Sequence, residues 1–158
     1  LKAQKEELER QLKIATMKEI LKLSFAEVDD LKLKVESISE ESLNIKERLI
    51  KKQFLNDLTN FRKHYEIILN KVHDGISIPE IKFLAEDLKE WRENYEIKLQ
   101  QIFDFAFLYQ SQNLLETAKN RAQKIESDLN KIKKSGLPIA NLEKLFKKAK
   151  TNIDDSEI

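Results

Sequence analysis

A chain of 158 residues suits one domain, and its 29 basic and 28 acidic side chains leave no whole-molecule attraction to nucleic acid. With no cysteine there is no disulfide framework, thiolate metal site or cysteine nucleophile. A mean hydropathy of −0.56 goes with the absence of any apolar run long enough to span a bilayer.

Only two glycines and two prolines interrupt the chain, Gly75 with Pro79 and Gly136 with Pro138. Everything between them can run as helix. The expectation is an all-α fold: an elongated antiparallel helical bundle with one long central helix and shorter flanking helices. It forms a single domain over 1–150, followed by a frayed acidic tail over 151–158.

In chain order, the first segment (1–23) is charged, with a thin stripe of Leu1, Leu8, Leu12, Ala15 and Leu21. Ser24 with Glu27, and Ser37 with Glu40, have the spacing of capping boxes. They predict a short second helix over 25–36, with an unbroken helix through both boxes as the competing reading. Over 40–73, Ile50, Phe54, Leu58, Phe61, Tyr65, Ile68 and Val72 recur on one helical face. Gly75 sits where a left-handed residue would end that helix. Ser77 and Glu80 box the next one, with Pro79 in its first turn.

The long helix is predicted over 78–134. Its first frame is Ile81, Leu84, Leu88, Trp91, Tyr95, Ile102, Phe105 and Tyr109, and its second is Leu115, Ala118, Ala122, Ile125, Leu129 and Ile132. A bend near 109–113 is the alternative to one continuous helix. Gly136 ends it, and Pro138 opens a last helix over 138–150.

Chemistry-bearing residues are sparse. His64 and His73 are the two imidazoles. Nine residues apart on one helix, they face different directions. Neither belongs to a zinc-ligand pattern, and no Glu-x-x-His motif, phosphate loop or nucleophile elbow occurs. The residues therefore suggest no enzyme, no cofactor, no metal and no small-molecule substrate.

Two features point to contact with a partner. Phe103 and Phe107 share one helical face within a dense aromatic stretch, which reads either as core or as a partner-binding patch. Between 119 and 150 ten basic residues face three acidic ones. The basic set is Lys119, Arg121, Lys124, Lys131, Lys133, Lys134, Lys144, Lys147, Lys148 and Lys150. Two elements meeting at the Gly136 turn would present these charges as a solvated surface, or as one steering toward an acidic partner. Arginine is scarce and no reading motif is present, which argues against nucleic acid.

The stretches LNDLTNFRKHYEIILNKVHDGISIPEIKFLAEDLKEWRENYE (55–96) and KIKKSGLPIANLEKLFKKAK (131–150) resemble the C-terminal helical region of the OspEF-leader-peptide (Elp) group. These are surface lipoproteins of Lyme-disease spirochetes. The resemblance implies a lipid-anchored outer-surface protein whose helical domain binds host complement. It implies inhibition of the initiating serine proteases of the classical pathway, and it carries over no catalytic residue. The lipidated cysteine and leader of that family would precede Leu1, so membrane attachment would be through an upstream anchor only. The chain is read as a monomer. A self-associating coiled coil through 1–23 or 115–132, and a binder of another complement regulator such as factor H, stand as alternatives.

Overall fold

The computed structural model describes residues 1–157. Four α-helices carry them: α1 (Lys2–Glu36), α2 (Ile45–Lys71), α3 (Ile78–Lys134) and α4 (Ala140–Asp155), with a 3-10 turn at Glu40–Ser42. No strand occurs among the described residues. Contacts cluster into two compact units, Leu1–Ala106 and Phe107–Ile158, where the composition suggests one domain over 1–150. α3 begins in the first unit and continues into the second. Its 57 residues form one helix, as the absence of a breaker predicts, with a contour of about 85 Å.

In the first unit, α1 is unbroken, so the helix boundary expected near Ser24 is absent. Ser24 is buried and its hydroxyl is already used. It donates to the Ile20 carbonyl at 2.9 Å and accepts from Arg92 Nη1 at 2.9 Å. Glu27 spends its carboxylate on Arg92 Nη2 at 2.9 Å. With both side chains committed elsewhere, no capping box can form. The second box is missing as well, because Ser37 closes α1 and donates to the Lys34 carbonyl at 2.7 Å.

The core stripe of α1 also differs from the expected one. Leu1, Leu8, Leu12 and Ala15 are exposed, and of the predicted set only Leu21 is buried. The buried face is Ile14, Met17, Leu21, Ser24, Val28, Leu31 and Val35, an uninterrupted alternation of three- and four-residue steps. That alternation is the packing seam of a coiled coil.

α2 starts at Ile45, five residues later than expected, because its cap is Asn44. Asn44 Oδ1 accepts from Glu47 N–H at 2.9 Å, and Glu47 Oε2 accepts from Asn44 N–H at 2.8 Å. Phe54, Leu58, Phe61, Tyr65, Ile68 and Val72 are buried as the periodicity predicts. Ile50 is not, since Lys51 occupies the seam position that keeps the three–four alternation. Its ammonium is satisfied by the Ile38 carbonyl at 2.7 Å and Glu40 Oε1 at 2.8 Å.

The turn into α3 is partly as expected. Ser77 and Glu80 form their capping box: Ser77 N–H donates to Glu80 Oε2 at 2.9 Å, and Glu80 N–H to Ser77 Oγ at 3.4 Å. The Ser77 hydroxyl, donating to Glu80 Oε2 at 2.6 Å, and then the Ser77 N–H hold Glu80 below the usual carboxylate range. Gly75, however, does not take the left-handed conformation. α2 stops at Lys71 because Val72 goes extended while burying its side chain. Arg10 of α1 fastens this turn by donating to the Asp74 and Ile76 carbonyls.

Along α3 the buried positions Ile81, Leu84 and Leu88 continue through half-buried Trp91 to Leu99, Ile102 and Ala106. Tyr95 remains 40% exposed. Two successive four-residue steps, 91 to 95 to 99, rotate the seam there and bring Leu99 and Ala106 into the core. Trp91 is the hub of an aromatic cluster. Its ring centroid lies 5.2 Å from Phe61, 5.2 Å from Tyr65 and 4.8 Å from Tyr95. It is stacked on His64 at 4.4 Å.

Candidate partner-binding surfaces

The first unit has an apolar groove of about 740 Å³ between α1 and α3, floored by Met17, Leu31, Leu88, Leu99 and Phe103. That volume is typical of ligand clefts. Most of its rim charges are already neutralised: Asp30 with Lys34 at 2.6 Å, Glu27 with Arg92 at 2.9 Å, and Glu93 with Lys89 at 3.8 Å. Little charge remains there to orient a polar ligand.

His64 has a perturbed imidazole. Burial pushes its pKa down against the opposing pull of Asp87, with Lys71 adding to the depression. Its Nε2 is buried with no hydrogen-bond partner among the described residues. The neighbouring Tyr65 hydroxyl is pushed up by burial. Nothing near His64 resembles a nucleophile–base pair, and no group of three or more His, Asp or Glu able to hold a metal gathers among the described residues.

The His64 environment has a measurable consequence. The folded state favours the neutral ring, whereas the unfolded chain takes a proton below about 6.5. Stability should therefore be flat above that value and fall as pH drops through it. Urea titrations between pH 7.5 and 5.5, read on the single tryptophan, Trp91, should show this loss in the wild type. His64→Phe should flatten it, and an equal slope in both proteins would assign the effect to other groups.

The second unit is a helical hairpin. Two cross-helix ion pairs set its register, Lys133 with Glu143 at 3.0 Å and Glu126 with Lys150 at 3.5 Å, and Lys119 pairs with Glu157 just past α4. As numbers rise along α3 they fall along α4, so the helices run in opposite directions. Gly136 closes α3 with φ 85°, a backbone state that costs glycine little and other residues more. Pro138 precedes rather than starts the last helix, which begins at Ala140 after the buried Ile139. The expected frayed tail is instead helical to Asp155. Half-buried Ile153 extends the stripe from Phe146, and Glu157 is held by Lys119.

This hairpin collects every basic residue of the sequence-based set. Lys119, Lys131, Lys133 and Lys150 have acidic partners, the Lys131–Asp128 pair being 3.8 Å long. Arg121, Lys124, Lys134, Lys144, Lys147 and Lys148 have no ion pair among the described residues. The two phenylalanines fall in different units. Phe103 borders the groove of the first and is 45% exposed, and Phe107 opens the second at 60% exposed.

The periodicity missed how much apolar surface the hairpin leaves open. Ile125 and Ile132, on the expected seam of α3, are 49% and 37% exposed, and Leu142 and Leu145 of α4 are 52% and 66% exposed. The signal lay in the length of the unit, since two helices cannot bury an apolar face as three can.

No helix among the described residues is long and apolar enough to cross a membrane. Comparison with known proteins finds no matching family model, no matching curated protein and no matching solved structure.

Proposed function

We propose that this chain is a non-enzymatic protein-binding domain that acts by covering a surface on its partner, and that the partner is an initiating serine protease of the classical complement pathway. The observation that carries the contact reading is the hairpin, which carries six cations with no ion pair among the described residues, spread along α3 and α4 on both sides of the Gly136 turn. The step to complement rests on the resemblance of 55–96 and 131–150 to the Elp lipoproteins. With it goes attachment to the bacterial surface through a lipid anchor upstream of Leu1. The opposed order of ring contacts in the first unit, Phe54 with Phe105 but Tyr65 with Trp91, supports an antiparallel bundle as the scaffold.

Exposed charges steer encounter and set salt dependence more than they hold a complex. Binding of the purified classical-pathway proteases should weaken as salt rises. The triple variant Lys144→Glu, Lys147→Glu, Lys148→Glu should lose about tenfold in affinity with unchanged helicity. Surface plasmon resonance and a complement-component cleavage assay test both steps. Unaltered affinity of the variant removes these lysines from the interface, and failure of the wild type to bind either protease removes the complement assignment.

A second reading, self-association of a coiled coil, is favoured by the exposure of Leu8 and Leu12 at 68% and 67%. Sedimentation velocity separates the two. A concentration-dependent dimer abolished by Leu8→Ser, Leu12→Ser supports self-association, and a monomer leaves the heterologous contact.

A further inference from the structure

The hairpin of the second unit has two unlike edges. At 3.6 residues per turn, the ion-paired Lys119, Glu126 and Lys133 of α3 lie on one flank, with Glu143 and Lys150 facing them from α4 and Glu157 from just beyond its end. Leu114, Arg121, Ile125 and Ile132 lie on the other flank of α3, within about 40° of one another. Leu142 and Leu145 are displaced in the same rotational sense on α4. Opposed helix directions therefore put both stripes on one side of the hairpin. Leu114 is 72% exposed, so this side is open along its length. The ion-pair register sets Leu142 and Leu145 opposite residues 131–134 of α3, so the two stripes lie abreast toward the Gly136 turn, with half-buried Leu129 and Phe146 between them. Leu114 to Ile132 spans about 27 Å, the length of five helical turns.

Charge selects what fits there. Arg121 sits inside the apolar stripe with no ion pair among the described residues, and Lys124 and Lys148 edge it in the same unpaired condition. A second copy laid parallel and in register would oppose arginine to arginine and lysine to lysine, and an antiparallel one would offer Arg121 only Asp128, which already pairs with Lys131 at 3.8 Å. A guanidinium amid aliphatic side chains is instead matched by a carboxylate that approaches as the apolar surface closes.

We propose that this face binds an amphipathic helix of another protein, one with leucine-like residues along one stripe and Asp or Glu at its margins. The helix seats along Leu114, Ile125 and Ile132, with Leu142 and Leu145 beside it near the turn, and one of its carboxylates pairs with Arg121. It supplies the third helix that this unit lacks and the first unit has, the helix-in-groove mode of recognition. The proposal does not rest on the complement assignment, and either can fail without the other.

The test uses the full chain and fluorescein-labelled helical peptides of roughly 20 residues, the length that matches the face. One carries leucine at heptad a and d positions and glutamate at e and g, a second has lysine at e and g, and a third has the acidic composition scrambled. Anisotropy in physiological salt should show the first binding at least tenfold more tightly than the others. Arg121→Glu and the double variant Leu142→Ser, Leu145→Ser should each weaken it at least tenfold, with circular dichroism unchanged. Three results overturn the proposal. The scrambled acidic peptide could bind equally well, or the variants could bind like the wild type. Alternatively, the wild type could ignore the peptide while the same face mediates a dimer in sedimentation or adsorption to anionic phospholipid vesicles.

Discussion

Replacing Trp91 by alanine should destabilise the first unit by about 3–5 kcal/mol, the range for removing a large aromatic from a packed site. Trp91 touches four rings, those of Phe61, His64, Tyr65 and Tyr95. The edge-to-face geometry with Phe61, at 88°, adds to simple area burial. Trp91→Phe should recover a large part of the loss, because a smaller ring still meets Phe61 and Tyr65. Tyr95→Ala should cost far less, since that ring is 40% exposed. Thermal unfolding followed by circular dichroism measures all three, the tryptophan signal being lost in two of them. Equal costs at Trp91 and Tyr95 would contradict the placement of the indole at the hub.

Leu58→Ala should cost about 2–5 kcal/mol, through lost transfer energy and an unfilled cavity. Leu58 is 0% exposed at the middle of the α2 stripe. At roughly 4–8 °C per kcal/mol for a unit of about 100 residues, the shift in melting temperature is large. The paired control is Leu12→Ala, at 67% exposure on α1. Its expected change is within about 0.5 kcal/mol, because alanine fills a helix well and no packed neighbour is lost. The same chemical change is thus costly at one leucine and nearly neutral at the other, and comparable losses would mean that the α1 seam is misassigned.

What could be read from the residues followed from the strength of the local signal. Phe54 to Val72 is a dense apolar stripe, Ser77 with Glu80 is a cap beside a proline, and Gly136 is a breaker with no competitor. Each of these positions marks in the structure the element or boundary its signal predicts. Two of the failures occurred where a polar residue sits on the seam. Ser24 looks like a cap and Lys51 like a surface lysine until a partner from elsewhere in the chain satisfies each of them. Arg92 is 68 positions from Ser24, and the Ile38 carbonyl is 13 positions from Lys51. Such distant partners leave no local trace. Asn44 with Glu47 was legible by the same rule that identified Ser77 with Glu80 and lay hidden behind the competing pattern at Ser37.

The candidate surface was legible in charge and illegible in shape. Counting identified the lysines of 119–150, but pairing removed four of them from consideration. Whether Ile125, Ile132, Leu142 and Leu145 are covered depends on how many helices surround them, which periodicity alone does not encode.

Lys51 has one more consequence. A helix sliding by a single heptad along α1 would still set apolar side chains against apolar ones at most seam positions, so greasy contacts discriminate poorly between alignments. An ammonium that finds its carbonyl and carboxylate in only one of them makes each wrong alignment strand a positive charge in hydrocarbon. Fidelity of assembly here comes from penalising the mistakes, at the level of a single atom, and not from strengthening the correct arrangement.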